Sequence, residues 1–294
     1  MKREENFAAR RDSGNQKSVG KRTSVWFNPG MLRCFSSLGC PDFTLDETLA
    51  LAARHAIDAV ELRALGGTVE LPGYLAAQFG SPAALAEKLE GQETRIVDFG
   101  ASLQLVDGTA EQRAALLDYV PWAEALGVPW LRVFDGGKNA DAGEIAQAAE
   151  TMRWWREFRR ERGWRVDLMV ETHNSLFTAD AVRQFLVLAP GTAILWDTHH
   201  TWKRGGEDPV VTWGAIRPHV AHLHVKDSIS VPSAKHPFTY VLPGAGEFPM
   251  APLMAALRAD GCIAPVSLEW EKLWHPYLAP LDEALTVAKA NAWW

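Results

Sequence analysis

The sequence predicts a single (β/α)8 barrel, and three observations favour this fold. From residue 31 onward, short apolar runs rich in β-branched and aromatic residues alternate with longer amphipathic stretches. Two of these runs, VDLMVET and AILWDTH, are almost continuously hydrophobic, which is typical of parallel strands buried on both faces. The chain has 294 residues, and a complete barrel typically needs roughly 250. One barrel with a short extension therefore accounts for the whole length.

The predicted elements follow this alternation along the chain. Barrel strands are expected at residues 32–37, 59–62, 96–103, 130–134, 166–172, 193–198, 220–225 and 264–270. Helices are expected at residues 45–56, 111–126, 142–162 and 179–188, with weaker patterns near 209–216, 249–259 and 281–292. We therefore predict one barrel domain over residues 29–294.

Residues 1–28 are expected to lie outside this domain. They contain seven Lys or Arg residues against three acidic ones and show neither helical nor strand periodicity. The pattern predicts a flexible basic tail. An added extension, a misplaced translation start and a weak contact arm are all compatible with it.

Composition excludes several classes of protein. The chain is 47% hydrophobic and 22% charged, as in ordinary globular proteins, and its formal net charge is −6. An acidic protein lacks the basic face that binds nucleic acid. Three cysteines without a C-x-x-C pair suggest neither a disulfide framework nor a thiolate zinc site. With no long apolar run and no secretory signal, we expect a cytoplasmic protein without a membrane partner.

Polar residues stand where several predicted strands end. The change from apolar to polar recurs in AVELR, LRVFD, VDLMVET, AILWDTH, AHLHVKD and VSLEWE. In a parallel barrel all of these ends lie on one rim, where barrel enzymes build their active sites. We therefore expect residues that are distant in sequence to meet in one pocket.

Four of these strand ends carry a set of metal-ligand residues: Glu171, Asp197, His224 and Glu269. Three carboxylates and one imidazole suit Mn²⁺ or Mg²⁺ and also accept Zn²⁺, Co²⁺ or Fe²⁺. Any one acidic residue could instead cap the helix that follows. Capping does not explain the set, because three converging carboxylates repel each other in a pocket of low dielectric unless a cation compensates them. The pattern predicts a site for one divalent metal ion of undetermined identity.

These motifs resemble the xylose isomerase-like TIM barrels, a family of sugar isomerases and epimerases that includes ketose 3-epimerases, inosose dehydratases and metal-dependent AP endonucleases. The resemblance extends from about residue 32 to the C-terminus and depends on AVELR, VETHN, WDTHH with GGEDP, HLHVKD, LPGAGEFP and VSLEWE in the family's order. It implies that Glu171, Asp197, His224 and Glu269 are the metal ligands. It also implies that Glu171 and Glu269 transfer protons, and that His200 and Lys226 contact the substrate.

A mechanism follows from this implied arrangement. The metal would acidify the C–H bond next to a carbonyl and stabilise the resulting enediolate. One glutamate would remove the proton, and the other would return a proton to the opposite face in an epimerisation. Return to the adjacent carbon would give isomerisation, and loss of a β-hydroxyl would give dehydration. A small sugar or polyol is the expected substrate, and a homo-oligomer is possible.

Other polar residues have two interpretations each. His173 should border the pocket if its strand stays regular, and His222 is interpreted as a satisfied core histidine, whereas His199 should face the helices. Glu61 and Arg63 are candidate substrate contacts at the end of the second strand. Arg132 and Asp135 hold similar positions on the fourth strand, where a buried arginine–carboxylate pair would look identical from sequence.

Two features of the sequence are better explained by structure than by ligand binding. Thirteen tryptophans are present, and Trp196, Trp202, Trp270 and Trp274 fall near the predicted pocket; a few could face a sugar, but most should pack in the core. The loop LPGAGEFP lacks a lysine at P-loop spacing and is expected to form a turn rather than a nucleotide site. No evident group of Arg or Lys residues marks a phosphate pocket, which favours an uncharged substrate.

Three rival functions stay open at this point. An inosose-type dehydratase would use the same scaffold and the same intermediate. A nuclease resembling the AP endonucleases would need further histidines that ELRALGG, DFGASLQLVDG and PSAKHPFTY do not supply. A non-catalytic barrel that only binds a ligand would have little reason to retain both glutamates.

Overall fold

The computed structural model describes residues 30–293 and confirms the predicted barrel. Eight parallel strands close in the order β1-β10-β7-β6-β5-β4-β3-β2. The barrel strands are β1 (Arg33–Ser36), β2 (Ala59–Leu62), β3 (Arg95–Val106), β4 (Trp130–Gly136), β5 (Asp167–Glu171), β6 (Ala193–Asp197), β7 (Val220–Val225) and β10 (Val266–Leu268). The predicted tail, residues 1–28, lies outside the described residues and stays a prediction.

Helices cover the barrel between its strands. They are α1 (Leu45–Arg54), α2 (Leu71–Phe79), α3 (Pro82–Lys88), α4 (Ala110–Leu126), α5 (Ala142–Arg162), α6 (Ala179–Leu188), α7 (Thr198–Lys203), α8 (Pro209–Ile216), α9 (Met250–Ala259) and α10 (Leu281–Ala290). All seven predicted helices are present, with ends that differ by two residues or fewer. Sequence analysis missed α2, α3 and α7, and also an antiparallel hairpin of β8 (Asp227–Ile229) and β9 (Thr239–Val241).

Side-chain hydrogen bonds fix where the longer connections become helical. In α1 and α4 the N-cap threonines, Thr44 and Thr109, form capping boxes with Glu47 and Gln112. At the other end, Gly127 and Gly163 terminate α4 and α5 in the left-handed conformation that glycine adopts without strain. These signals explain why the boundaries of the two longest helices are readable from sequence.

The register of the strands determines which residues point into the barrel. Glu61 pairs with Asp98, Arg132 pairs with both Gly100 and Met169, and Asp197 pairs with His224. Because side chains alternate along a strand, residues two apart share a face. The interior therefore receives stacked polar residues from successive layers of the barrel.

Two buried aspartates organise the loops at the carboxyl ends of the strands. Asp135, near the end of β4, accepts hydrogen bonds from the backbone N–H groups of residues 173–176. Asp227, the first residue of β8, accepts those of Ser228, Gly244, Gly246 and Phe248. The LPGAGEFP loop is therefore a turn held by Asp227, as its composition predicts. Asp135 likewise holds the segment that follows β5.

No helix among residues 30–293 combines the length and the apolar character needed to cross a membrane.

We expect Asp227→Ala to lower the free energy of unfolding by about 2–4 kcal/mol, because it leaves several buried N–H groups without an acceptor. The measurement is urea unfolding followed by circular dichroism. The exposed Asp118 is the matched control, and Asp118→Ala should change stability by less than about 0.5 kcal/mol. Equal stabilities for the two variants would contradict this role of Asp227.

Candidate functional site

The structure brings four of the predicted residues together at the carboxyl ends of β5, β6, β7 and β10. Glu171, Asp197, His224 and Glu269 each offer one ligand atom, and these atoms all lie within 4.8 Å of one another. All four side chains are buried. We call this set the four-residue cluster. It is the arrangement that the sequence predicts, formed by residues from four successive barrel strands.

Local contacts hold each member of the cluster in one orientation. Asp197 ends β6 and caps α7, because its Oδ1 accepts hydrogen bonds from the N–H groups of His199 and His200. Its Oδ2 therefore faces the cluster. His224 is fixed by a contact of 2.8 Å between its Nε2 and Glu61 Oε2, which leaves Nδ1 directed at Glu171 Oε1 and Glu269 Oε1, 3.5 and 3.3 Å away.

Several buried atoms of the cluster have no hydrogen-bond partner among the described residues. These atoms are both carboxylate oxygens of Glu171, Oδ2 of Asp197 and Nδ1 of His224. Buried polar groups nearly always find a partner, because leaving one unpaired costs about 1–3 kcal/mol. A divalent cation bound by one atom from each residue would provide a partner for one oxygen of Glu171, for Oδ2 of Asp197 and for Nδ1 of His224. The donor set therefore fits a hard or borderline metal ion.

Lys226 brings a buried ammonium into this acidic region. Its Nζ lies 2.8 Å from Asp197 Oδ2 and 2.6 Å from Glu271 Oε1, and it donates a short hydrogen bond to Glu269 Oε2. Burial opposes the charge, but Asp197, Glu269 and Glu271 together raise the pKa of Lys226 well above its usual value. The lysine therefore compensates part of the negative charge and fixes the outer oxygen of Glu269.

The two glutamates stay ionised although they are buried. Burial would raise the pKa of Glu171, but Arg132, whose Nε lies 3.3 Å from Oε2, lowers it to about 2. Burial would likewise raise the pKa of Glu269, which His224 and Lys226 hold well below its usual value. Each glutamate thus has one oxygen near a fixed cationic side chain and the other facing the cluster. Such a carboxylate can accept a proton.

A layer of hydrogen-bonded residues lies beneath the cluster. His222 Nδ1 is 2.9 Å from Asp98 Oδ2, and its Nε2 is 3.3 Å from Glu61 Oε2. Glu61 in turn contacts His224, so Asp98, His222 and Glu61 form a chain that ends on a cluster residue. His222 is the core histidine that sequence analysis favours. For Glu61, a predicted substrate contact, the structure shows contacts with His224 and His222, and the substrate contact stays a prediction.

Aromatic rings form one wall above the cluster. The rings of Phe134 and His200 both contact the ring of His173, with centroids 4.9 and 4.8 Å from it. His200 Nδ1 lies 3.0 Å from the carbonyl oxygen of Thr172. Burial of the ring is the largest cause that lowers the pKa of His200, and the positive charge of Lys226 is the next; together they lower it to about 3. The ring is therefore neutral. With its Nδ1–H donated to Thr172, the Nε2 of His200 presents a lone pair that can accept a hydrogen bond.

Two arginines lie beside these aromatic rings. Arg63 and Arg132 are 6% and 3% exposed and approach each other over Gly100. Arg132 also stacks on Phe134, with its Cζ 4.2 Å from the ring centroid. Arg63 therefore lies at the rim of the interior, as the sequence predicts. Arg132 forms an ion pair with Glu171, which is the buried arginine–carboxylate pair that the alternative interpretation expects.

The β8–β9 hairpin closes the side next to Lys226. Tyr240 of β9 lies with its ring centroid 5.6 Å from Lys226 Nζ. His199 was expected to face the helices, but it lies against the hairpin, with Nε2 2.8 Å from Ser228 Oγ. Sequence analysis missed Glu271 as well. The spacing in the sequence indicates this position, because residues two apart on a strand point to the same side. Glu271 follows Glu269 by two residues, just as Lys226 follows His224 by two.

The tryptophans near the site are mainly structural. Trp196 is fully buried and stacks on Trp213, and Trp270 is also buried and donates a hydrogen bond to the carbonyl of Ala279. Trp202 packs against Phe248. Trp274 is 43% exposed and stands outside the cluster. The core-packing interpretation therefore holds for the buried tryptophans.

Comparisons with known proteins agree with the fold. The family model described as "Xylose isomerase-like TIM barrel" matches residues 49–291. None of the curated proteins matches the chain by sequence. Solved structures show the likeness in three dimensions, and three are described here.

A probable 3-DHS dehydratase, AsbF from Bacillus anthracis, is 17% identical, with a TM-score of 0.71, over 88% of this chain and 99% of the other. An IOLI protein with a bound zinc atom is 17% identical, with a TM-score of 0.67, over 89% and 96%. A D-allulose 3-epimerase from Methylomonas sp. is 15% identical, with a TM-score of 0.63, over 88% and 94%. At these identities the likeness establishes the fold.

We expect Lys226→Met to destabilise the metal-free protein by about 3–5 kcal/mol, because it leaves buried carboxylates without their ammonium partner. The measurement is chemical unfolding in the presence of a chelator. Lys88→Met is the control, because Lys88 forms an exposed pair with Asp46, and it should cost less than about 1 kcal/mol. A loss no greater than that of the control would show that Lys226 does not compensate the cluster.

Proposed function

Because the chain belongs to the xylose isomerase-like TIM barrel family, we propose that it is a metal-dependent sugar isomerase or epimerase. Members of this superfamily process sugars, and the proposed reaction moves a proton on a carbon next to a carbonyl. The observation that carries the proposal is the four-residue cluster, whose buried ligand atoms lie within 4.8 Å of one another. The substrate would be a small sugar or a related polyol derivative.

Glu171, Asp197, His224 and Glu269 would hold one divalent ion, with Mn²⁺, Mg²⁺, Zn²⁺ and Co²⁺ as candidates. The bound zinc in the IOLI protein supports a divalent ion for this fold. When bound, the ion would polarise a carbonyl and compensate the charge of an enediolate. The chain's own residues would then bind the substrate and move the proton.

Glu171 and Glu269 would transfer the proton. Both are held as carboxylates, by Arg132 on one side and by Lys226 on the other, so either can accept a proton from carbon. They reach the cluster from two separate strands, β5 and β10, and both contact His224. In an epimerisation one glutamate would remove the proton, and the other, once protonated, would deliver one to the opposite face.

His200, Lys226 and His173 would position the substrate. The free Nε2 of His200 would accept a hydrogen bond from a hydroxyl, and Lys226 would donate one from its ammonium. The ring of His173 adds to the wall formed with Phe134 and would exclude water from the reacting carbon.

A dehydratase is the second candidate, and the position of Lys226 favours it. The ammonium lies beside Glu269, where it could donate a proton to a departing hydroxyl while a glutamate removes the proton from carbon. The 3-DHS dehydratase with the same fold is consistent with this chemistry. A nuclease fits less well, since the described pocket is acidic at its centre. A barrel that only binds a ligand would catalyse no exchange.

We expect the purified protein to retain about one divalent ion per chain and to exchange a carbon-bound proton of a ketose with D₂O. Glu171→Gln and Glu269→Gln should each reduce the exchange at least about 100-fold, because they remove a base. Metal analysis and proton NMR give the two readouts. The exposed Glu87→Gln should behave as the wild type. Full exchange in both glutamine variants would contradict the proposal.

Glu61→Gln should weaken metal binding about 10- to 100-fold, because Glu61 fixes the ring of His224 with Nδ1 facing the cluster. Competition with a fluorescent chelator measures the affinity. Glu87→Gln again provides the comparison, and circular dichroism checks folding. An unchanged affinity would mean that Glu61 does not orient the ligand.

A further inference from the structure

We propose that Arg63 and Arg132 form a binding subsite for a carboxylate group of the substrate, so that the enzyme acts on a sugar acid rather than on a neutral sugar. This inference rests on the proposed function, because it assigns a substrate class to the same pocket. Sequence analysis favoured an uncharged substrate, because no group of Arg or Lys residues is evident in the sequence. The proposed subsite favours an anionic substrate instead.

A glycine leaves room for the side chains of Arg63 and Arg132 to pass close to the same point of β3. A β-carbon at Gly100 would lie 2.6 Å from Arg132 Nη2 and 2.6 Å from Arg63 Cδ. Any other residue there would collide with both side chains. Gly100 is paired with Arg132 in the register of β3 and β4 and has no positive φ, so backbone conformation does not require it. Space for the two arginines accounts for this glycine.

The positive charge of the pair is only partly compensated. Among the described residues, Arg132 has one carboxylate within ion-pair distance, Glu171, and Arg63 has none. Arg63 donates instead to Ser102 Oγ at 3.1 Å and to the carbonyl of Val69 at 3.4 Å. Arg132 adds one contact of 3.4 Å with the carbonyl of Ala101.

Burying like charges side by side is unfavourable unless an anion joins them. Burial, and then the neighbouring Arg132, lower the pKa of Arg63 to about 10, which leaves it charged at neutral pH. Each guanidinium has five N–H donors, and the contacts above use fewer than half of them. Donors therefore remain for an anionic ligand.

The position of the pair limits the chemistry of that ligand. Arg132 lies 3.3 Å from Glu171, so the subsite is adjacent to the four-residue cluster. A substrate whose hydroxyl and carbonyl oxygens reach the cluster would place an acid group there only a few bonds away. The planar fork of a guanidinium matches a carboxylate in bidentate geometry, and Phe134 fixes the plane of Arg132. A short-chain keto or hydroxy acid derived from a sugar fits these conditions.

The test compares acids with matched neutral polyols. Isothermal titration of the Mn²⁺-loaded protein would use D-gluconate against D-glucitol and tartrate against threitol, with glucitol 6-phosphate as the phosphate probe. We expect each acid to bind at least about tenfold more tightly than its polyol, which is the usual effect of charge-assisted hydrogen bonds. Arg63→Met should remove this preference and leave metal content unchanged, because Arg63 contacts no cluster residue.

Two further variants keep the test independent of misfolding. Gly100→Ala retains both charges, but its β-carbon would displace the side chains of Arg63 and Arg132, so it should also weaken the preference for acids. Arg217→Met removes a half-exposed arginine that pairs with Asp260 away from the cluster, and it should bind as the wild type does.

No preference for acids in the wild type, or a preference that persists in Arg63→Met, would overturn the carboxylate subsite. Tighter binding of glucitol 6-phosphate than of gluconate would overturn the choice of carboxylate. Failure of the proposed function has a different signature, namely no retained metal and no proton exchange while the acids still bind through the arginines. The two failures are therefore distinguishable.

Discussion

The need to compensate buried negative charge governs the interior of this barrel. Glu171, Asp197 and Glu269 approach one another where β5, β6 and β10 end, in surroundings from which water is largely excluded. Carboxylates at such distances repel each other strongly at low dielectric. Lys226 and Arg132 supply cationic partners at the edges of the group. The ligand atoms of the cluster still lie within 4.8 Å of one another, where a divalent ion would complete the balance.

Because every second residue of a strand faces the interior, the buried polar residues are arranged in layers along the barrel axis. His222, His224 and Lys226 follow one another along the inward face of β7 and its end, and each serves a different layer. The lowest layer fixes orientation through Asp98 and Glu61, and the middle layer holds the ligand atoms. Lys226 and Arg132 then pair with carboxylates of the middle layer, through Asp197 and Glu171 respectively.

Much of this arrangement can be predicted from the sequence. The eight strands, and the grouping of Glu171, Asp197, His224 and Glu269, could be predicted because apolar strands that end in polar residues share one rim in a parallel barrel. The helices α2 and α3 were missed because their apolar positions form a weak pattern. The β8–β9 hairpin was missed because its strands have three residues each.

Recognition elements were harder to predict than the cluster. That Glu61 lies beneath His224 while Arg63 lies above depends on strand register, which includes a shift between Val60 and Glu61. The pairing of Arg63 with Arg132 depends in addition on the missing side chain of Gly100. A sequence pattern shows which residues are polar, but the neighbours of each are set by register and by space. For this reason the proximity of Arg63 and Arg132 became visible only in three dimensions.

The central claim is that one cation is bound by these four side chains, and anomalous X-ray scattering from crystals grown with Mn²⁺ tests it most directly. We expect one strong peak in the barrel, about 2.0–2.3 Å from Nδ1 of His224 and from an oxygen of Glu171, Asp197 and Glu269. A barrel without such a peak, or an ion bound below by Glu61, His222 and Nε2 of His224, would contradict the account.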